Sequence, residues 1–284
     1  MNNTKIPDMT AFSSFARPLD PFNYRTNLYI LIMTAVCGAI AGAWMLLSSG
    51  DFAGAIFSGI YTGAAVFISW VLARDVDPEN DWSAFVCSGI AFVFCAGRVD
   101  ILPLAVAVFF LRMVSRVVGP PAKITDSLLT LGMVGATVFT GYWTFGIVAI
   151  VAFAIDGTLN KPLRTQWVFA GLSAFLTLGG LLIIGANDSG YLGFGTLFLM
   201  LIALGLGTFA FIQEKKTRIL ADNSLFAIEP ARLRACLVIL ALMGIGGAFQ
   251  FGDSGFYGLI SVWAVLAGVG AYQVYLRLRP TKRK

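Results

Sequence analysis

Apolar residues dominate this chain in long runs, and polar residues are confined to short gaps between them. The runs lie at about 28–48, 52–73, 80–97, 101–118, 124–140, 142–156, 163–185, 192–213, 233–250 and 255–276. A bilayer core about 30 Å thick is crossed by ~20 apolar residues of helix, so the pattern predicts about ten transmembrane helices. The fifth and sixth are short and separated only by Thr140-Gly141.

The gaps alternate in kind. Those after odd-numbered runs are brief: SSGD, GRVD, TG, ANDSG and FGDS. Those after even-numbered runs, near 74–80, 118–125, 157–163 and 214–232, are longer. They carry Arg74, Lys123, Lys161, Arg164, Lys215, Lys216, Arg218 and Arg232. On the short-gap side Arg98 is the single cation, against Asp51, Asp100, Asp188 and Asp253. Because basic loops remain in the cytoplasm, both termini are expected there, in the inner membrane of the cell. The organisation read from this is a cytoplasmic segment 1–27, one transmembrane domain 28–276 and a basic tail 277–284. The first run is too long for the apolar core of a signal peptide and is read as a retained helix.

Two regularities divide the chain into five helical hairpins. A proline stands near the start of each odd-numbered span (Pro21, Pro78, Pro120 and Pro121, Pro162, Pro230), with Asp20 and Asp77 as N-cap acids before two of them. Even-numbered spans open on a glycine, an aromatic residue and another glycine, as in DSGYLG and DSGFYG; the second hairpin, GRVDILPL, departs from this. Glycines at small-xxx-small spacing, among them Gly38, Gly42 and Gly54, favour close helix contacts. In the linker 214–232, Ile219, Leu220, Leu225, Phe226 and Ile228 suit either a short helix on the inner surface or a plain connection.

Composition sharpens the class. The chain is 58% hydrophobic with a mean hydropathy of +0.81, beyond the roughly 45–50% of globular domains. The fold class is therefore all-α and polytopic, without room for a soluble domain of ordinary size. The net charge of +5 follows from basic residues flanking the spans, so no nucleic-acid partner is expected. The absence of histidine excludes Ser-His-Asp triads, His-ligated zinc and His-ligated haem within this chain. Cys37, Cys87, Cys95 and Cys236 fall in apolar spans without CxxC spacing and are read as packing residues.

Candidate chemistry gathers at the cytoplasmic ends of the second, fourth and sixth spans, since the middles of the spans hold no carboxylate. The candidate substrate-binding residues are Arg74, Asp75, Arg112, Arg116, Asp126, Asp156 and Arg164. Asp77 and Asp81, four apart, can present two carboxylates on one helix face, the arrangement that holds magnesium against phosphate oxygens. A helix cap with dipole-complementing acids explains the same residues equally well. Uncharged polar residues inside the spans, such as Tyr61, Thr62, Ser88, Thr137, Thr177 and Thr208, suit a neutral solute or bonds between helices.

Asp77-x3-Asp81 after the second span and Asp156-x3-Asn160 after the sixth resemble, in outline, the aspartate-rich motifs of UbiA-type intramembrane prenyltransferases. That likeness implies magnesium and a prenyl diphosphate at the cytoplasmic surface. The chain departs from the family at Ala73-Arg74, where Asn-Asp is usual, at Asn160, and in having ten spans rather than nine, so the family is not assigned. The ten-span layout also resembles drug/metabolite-type permeases by topology alone. A carrier of a small solute is the leading expectation. The alternatives are an enzyme acting on a lipid or prenyl phosphate with magnesium at Asp77 and Asp81, and a non-catalytic subunit or assembly factor. The expected partners are the lipid bilayer and a membrane protein or a second copy of the chain.

Overall fold

The computed structural model describes residues 13–15, 19–185, 190–214, 220–221 and 227–279. Each apolar run holds a helix, because in hydrocarbon every backbone N–H and C=O must be satisfied within the segment. The helices are α1 (Arg25–Ser49), α2 (Phe52–Val76), α3 (Asp81–Phe94), α4 (Ile101–Ser115), α5 (Ile124–Phe139), α6 (Trp143–Thr158), α7 (Gln166–Ile184) and α8 (Phe194–Gln213). They are followed by α9 (Pro230–Phe251), α10 (Asp253–Gly258) and α11 (Ile260–Leu278). Of these, α1, α2, α7, α8 and α9 are long and apolar enough to cross a membrane, whereas α3 to α6 have 14–16 residues. Their outward faces are apolar: Trp44, Leu47, Phe175, Leu182 and Ile183 are all more than 70% exposed. A surface this apolar matches a helical membrane protein and not a water-soluble one.

The centre of the bundle is built from α2, α4, α9 and α11, with Phe110, Leu240 and Trp263 among its largest buried side chains. Backbones approach closely between α1 and α2, where a Cβ on Gly38 would lie 2.8 Å from the Gly59 carbonyl oxygen and one on Gly42 2.9 Å from that of Ala55. Only glycine permits that spacing.

Three sequence regularities take a different form in the structure. Of the prolines near the starts of odd-numbered spans, only Pro230 occupies the first turn of a helix. Asp20 instead folds a turn ahead of α1, accepting from the Phe22 and Asn23 N–H groups, and α3 begins only at Asp81, after the Asn80 cap. Pro78 thus belongs to the connecting turn, where its fixed φ is equally at home. The tenth run is broken at Leu259 into α10 and α11. Packing follows the hairpins only in part: α1 packs on α2, α5 on α6, and α9 on α10 and α11, but α3 and α4, and α7 and α8, share at most marginal contact, while α7 packs on α6 and α8 on α11. Most of the 214–232 linker and residues 280–284 lie outside the described residues; within the linker Leu220 and Ala227 form an antiparallel bridge.

Candidate functional site

The interhelix bonds define two ends of the bundle. At the charged end meet the ends of α2, α4, α6 and α8 and the starts of α5, α7 and α9. Asp156, fully buried, sits in the last turn of α6, where the helix dipole opposes a carboxylate. Its Oδ1 accepts from Arg116 Nε at 3.1 Å and Nη2 at 2.6 Å, and from Arg232 Nη1 at 2.7 Å. Arg232 opposes the dipole in turn, being in the first turn of α9, so each misplaced charge compensates the other. Arg232 also donates to the carbonyls of Val114 and Asn160, and Arg116 to that of Lys161. Asp156 Oδ2 is buried and has no hydrogen-bond partner among the described residues.

A second group joins α2 to α4. Arg112 Nε lies 3.4 Å from Asp75 Oδ2, and its Nη1 donates to the Phe15 carbonyl at 2.6 Å. Phe15 is buried edge-on against Phe109, with ring centroids 5.7 Å apart. Asp126, in the first turn of α5, accepts from the Ser13 hydroxyl, from the N–H and hydroxyl of Ser14, and from the Lys123 N–H. Residues 13–15 are therefore seated across the charged end, between α4 and α5.

Around the turn after α2, Arg74 pairs with Asp81 and Asn80 donates to Asp77 Oδ1 at 2.8 Å. Burial raises the Asp77 carboxyl above its ordinary value. Glu214, just past α8, is pushed up to about 7, first by burial and then by the charges of Asp77 and Glu79. No group of three His, Cys, Asp or Glu among the described residues is placed to hold a metal ion. Asp81 is committed to Arg74 and Asp77 to Asn80.

Of the sequence candidates, the structure links Arg112 with Asp75 and Arg116 with Asp156, and gives Asp126 to the N-terminal segment. Arg164 is exposed and forms no ion pair among the described residues; Arg232, not among those candidates, is the second partner of Asp156. The signal for Arg232 was in the sequence, since a cation in a helix's first turn needs a compensating acid. Nothing in the sequence marked residues 13–15. Three of the polar residues inside the spans bond helix backbones: Ser88 to the Val66 and Ala84 carbonyls, Thr137 to Met133 and Thr177 to Ser173.

The opposite end holds a cavity of about 670 Å³ whose wall includes Tyr61, Arg98, Asp100, Tyr142, Phe251 and Tyr257. Asp100 precedes α4 and is fixed from two sides: the Tyr142 hydroxyl donates to its Oδ2, and its own N–H donates to the Gly258 carbonyl at 2.9 Å. A Cβ on Gly258 would fall 2.1 Å from that carboxylate oxygen, so the glycine makes room for it. Behind the wall, Gln250 ties α9 to α6 by accepting from Thr144 and donating to the Gly141 carbonyl. The sequence reading counted Asp100 and Arg98 only toward topology. Their signal was GRVD itself, the one short gap without the glycine-aromatic pattern.

Comparison with known proteins gives no match to a family model, to a curated protein or to a solved structure.

Proposed function

We propose that this chain is a carrier of a small solute, crossing the inner membrane ten times with both termini in the cytoplasm. The observation that carries the reading is the contrast between the two ends. At the charged end, ion pairs join α2 to α4 and α4 to α6 and α9, and residues 13–15 lie across it. The other end keeps a cavity of about 670 Å³ between the same helices, within the roughly 300–1,000 Å³ of small-molecule sites. Its wall combines aromatic rings with one fixed carboxylate and one cation, a surface suited to orienting a small polar solute. The break at Leu259 puts Tyr257 and Gly258 on that wall, and carriers commonly form their sites at interrupted helices. Basic gaps assign the closed end to the cytoplasm. In this reading the ion pairs form the inner gate and must separate for the solute to leave on that side.

The test is flux through liposomes containing the purified protein, for each solute whose uptake or efflux changes when the chain is deleted from its cell. Wild-type protein is expected to pass at least one of them, and Asp100→Asn to lower that flux by about tenfold while the protein stays folded, the loss expected when a charged contact is removed. If folded wild-type protein passes none of those solutes, the carrier reading is wrong.

A further inference from the structure

We infer that the cavity around Asp100 binds a small zwitterion of the amino-acid kind, with the ammonium group on Asp100 and the carboxylate on Arg98. The inference names the solute class for the carrier reading and rests on the same cavity.

The charge inventory of the wall is the first argument. Arg98 and Asp100 are its only charged members among the described residues. They stand two apart in the chain, yet they form no ion pair with each other or with another described residue. At the opposite end Arg74, Arg112, Arg116 and Arg232 all close on carboxylates. Arg98 also makes no hydrogen bond to a described residue, so its fork of five N–H groups remains open to a carboxylate. The wall therefore offers one separated charge of each sign.

The setting of Asp100 is the second. It occupies the position before α4 where an aspartate ordinarily accepts from the helix's first N–H groups, but its side chain makes no such bond. The carboxylate is turned to the Tyr142 hydroxyl instead, its own N–H is tied to the Gly258 carbonyl, and Gly258 leaves the space it needs. Tyr142 bonds only Oδ2; Oδ1 has no hydrogen bond among the described residues. An acid fixed in this way loses little freedom when a cation binds. Tyr142 and Phe251 pack beside it with ring centroids 4.3 Å apart, and Tyr61 and Tyr257 complete an aromatic wall that suits an ammonium group and an apolar substituent.

Solutes of a single charge fit less well. A cation is repelled by Arg98, an anion by Asp100, and a neutral molecule leaves both charges without a partner. A zwitterion satisfies the two together.

The test is binding by matched compounds. Purified protein in detergent is melted with each common amino acid, and the one that stabilises it most is compared with its carboxamide, which keeps only the ammonium charge, and its N-acetyl derivative, which keeps only the carboxylate. At least one amino acid is expected to raise the melting temperature, with both derivatives about tenfold weaker. Arg98 is exposed, so Arg98→Gln should fold as wild type does, and in it the carboxamide should bind as tightly as the amino acid. Asp100→Asn, which keeps an acceptor for Tyr142, should do the same for the N-acetyl derivative. If no amino acid stabilises wild type, if either derivative matches its parent there, or if either preference survives in its variant, the inference is overturned. Liposome flux of the same compounds separates the two readings. An amino acid bound with these preferences but not passed supports the site and contradicts the carrier; passage of other solutes without amino-acid binding supports the carrier and overturns the site.

Discussion

A carboxylate in the last turn of a helix faces the carbonyl end of the dipole, and Asp156 does so without solvent. Its two arginine partners offset that, and the balance is asymmetric: breaking a buried pair by removing one member costs about 3–5 kcal/mol, because the other charges stay buried. Asp156→Asn is therefore expected to lower the melting temperature by about 10 °C or more. Asp81→Ala, which removes a half-exposed partner of Arg74, should cost at most ~1 kcal/mol. Thermal unfolding of both variants in one detergent tests the contrast, and equal losses would refute it. Glu214 gives a pH dependence of definite sign. Its folded carboxyl keeps its proton up to about 7, whereas the ordinary value is 4.5. Between those values the folded state binds more protons, so stability falls as pH rises through that window and then levels off. Melting at pH 5 and pH 8 should show the loss in wild type and a smaller one in Glu214→Gln. At this scale the sequence singled out Arg112, Arg116, Asp75 and Asp156, which stand at helix ends in an apolar chain and which the structure joins in ion pairs, but it also singled out Arg164 and passed over Arg232. It did not reveal which atoms meet, because pairing depends on how the helices lie beside one another.

Helices were legible because bilayer thickness and the need to satisfy backbone groups internally leave one solution for a long apolar run. Their neighbours were not legible. The choice of face rests on small residues distant in sequence, as where a Cβ on Gly270 of α11 would fall 2.2 Å from the Leu206 carbonyl oxygen of α8. That contact fixes α8 on α11 and leaves α7 to pack on α6, which no hairpin rule anticipates. The α1–α2 pair is the sharpest test at this scale. Gly59→Val would place a Cβ 2.9 Å from the Gly38 carbonyl oxygen, where the obstacle is backbone. The two helices must separate, and a fall in melting temperature of several degrees is expected, from an overpacking cost of about 1–3 kcal/mol. Gly89→Ala in α3 meets nothing within 4 Å and should be neutral or stabilising by up to ~1 kcal/mol. Similar losses in the two variants would mean that close glycine contacts do not hold α1 to α2.

For the molecule as a whole, polarity between its ends is the property on which the proposed carrier function rests. One end is crosslinked by ion pairs and crossed by residues 13–15; the other keeps an aromatic cavity around Asp100. Sequence located the basic side, and so the side where charges cluster, but attached no role to the opposite side, where Asp100, Tyr142 and Tyr257 come from three separate segments. The most direct measurement is thiol labelling from each side of the membrane, in a Cys95→Ala background whose remaining cysteines are buried. Ser254→Cys on the cavity wall and exposed Asn160→Cys at the closed end are treated with a membrane-impermeant maleimide. The carrier reading predicts that Ser254→Cys is labelled on intact cells lacking an outer barrier, that Asn160→Cys is labelled only after the membrane is opened, and that modification of Ser254→Cys stops solute flux. Labelling of Asn160→Cys from outside, or flux unchanged by modification at Ser254→Cys, would contradict it.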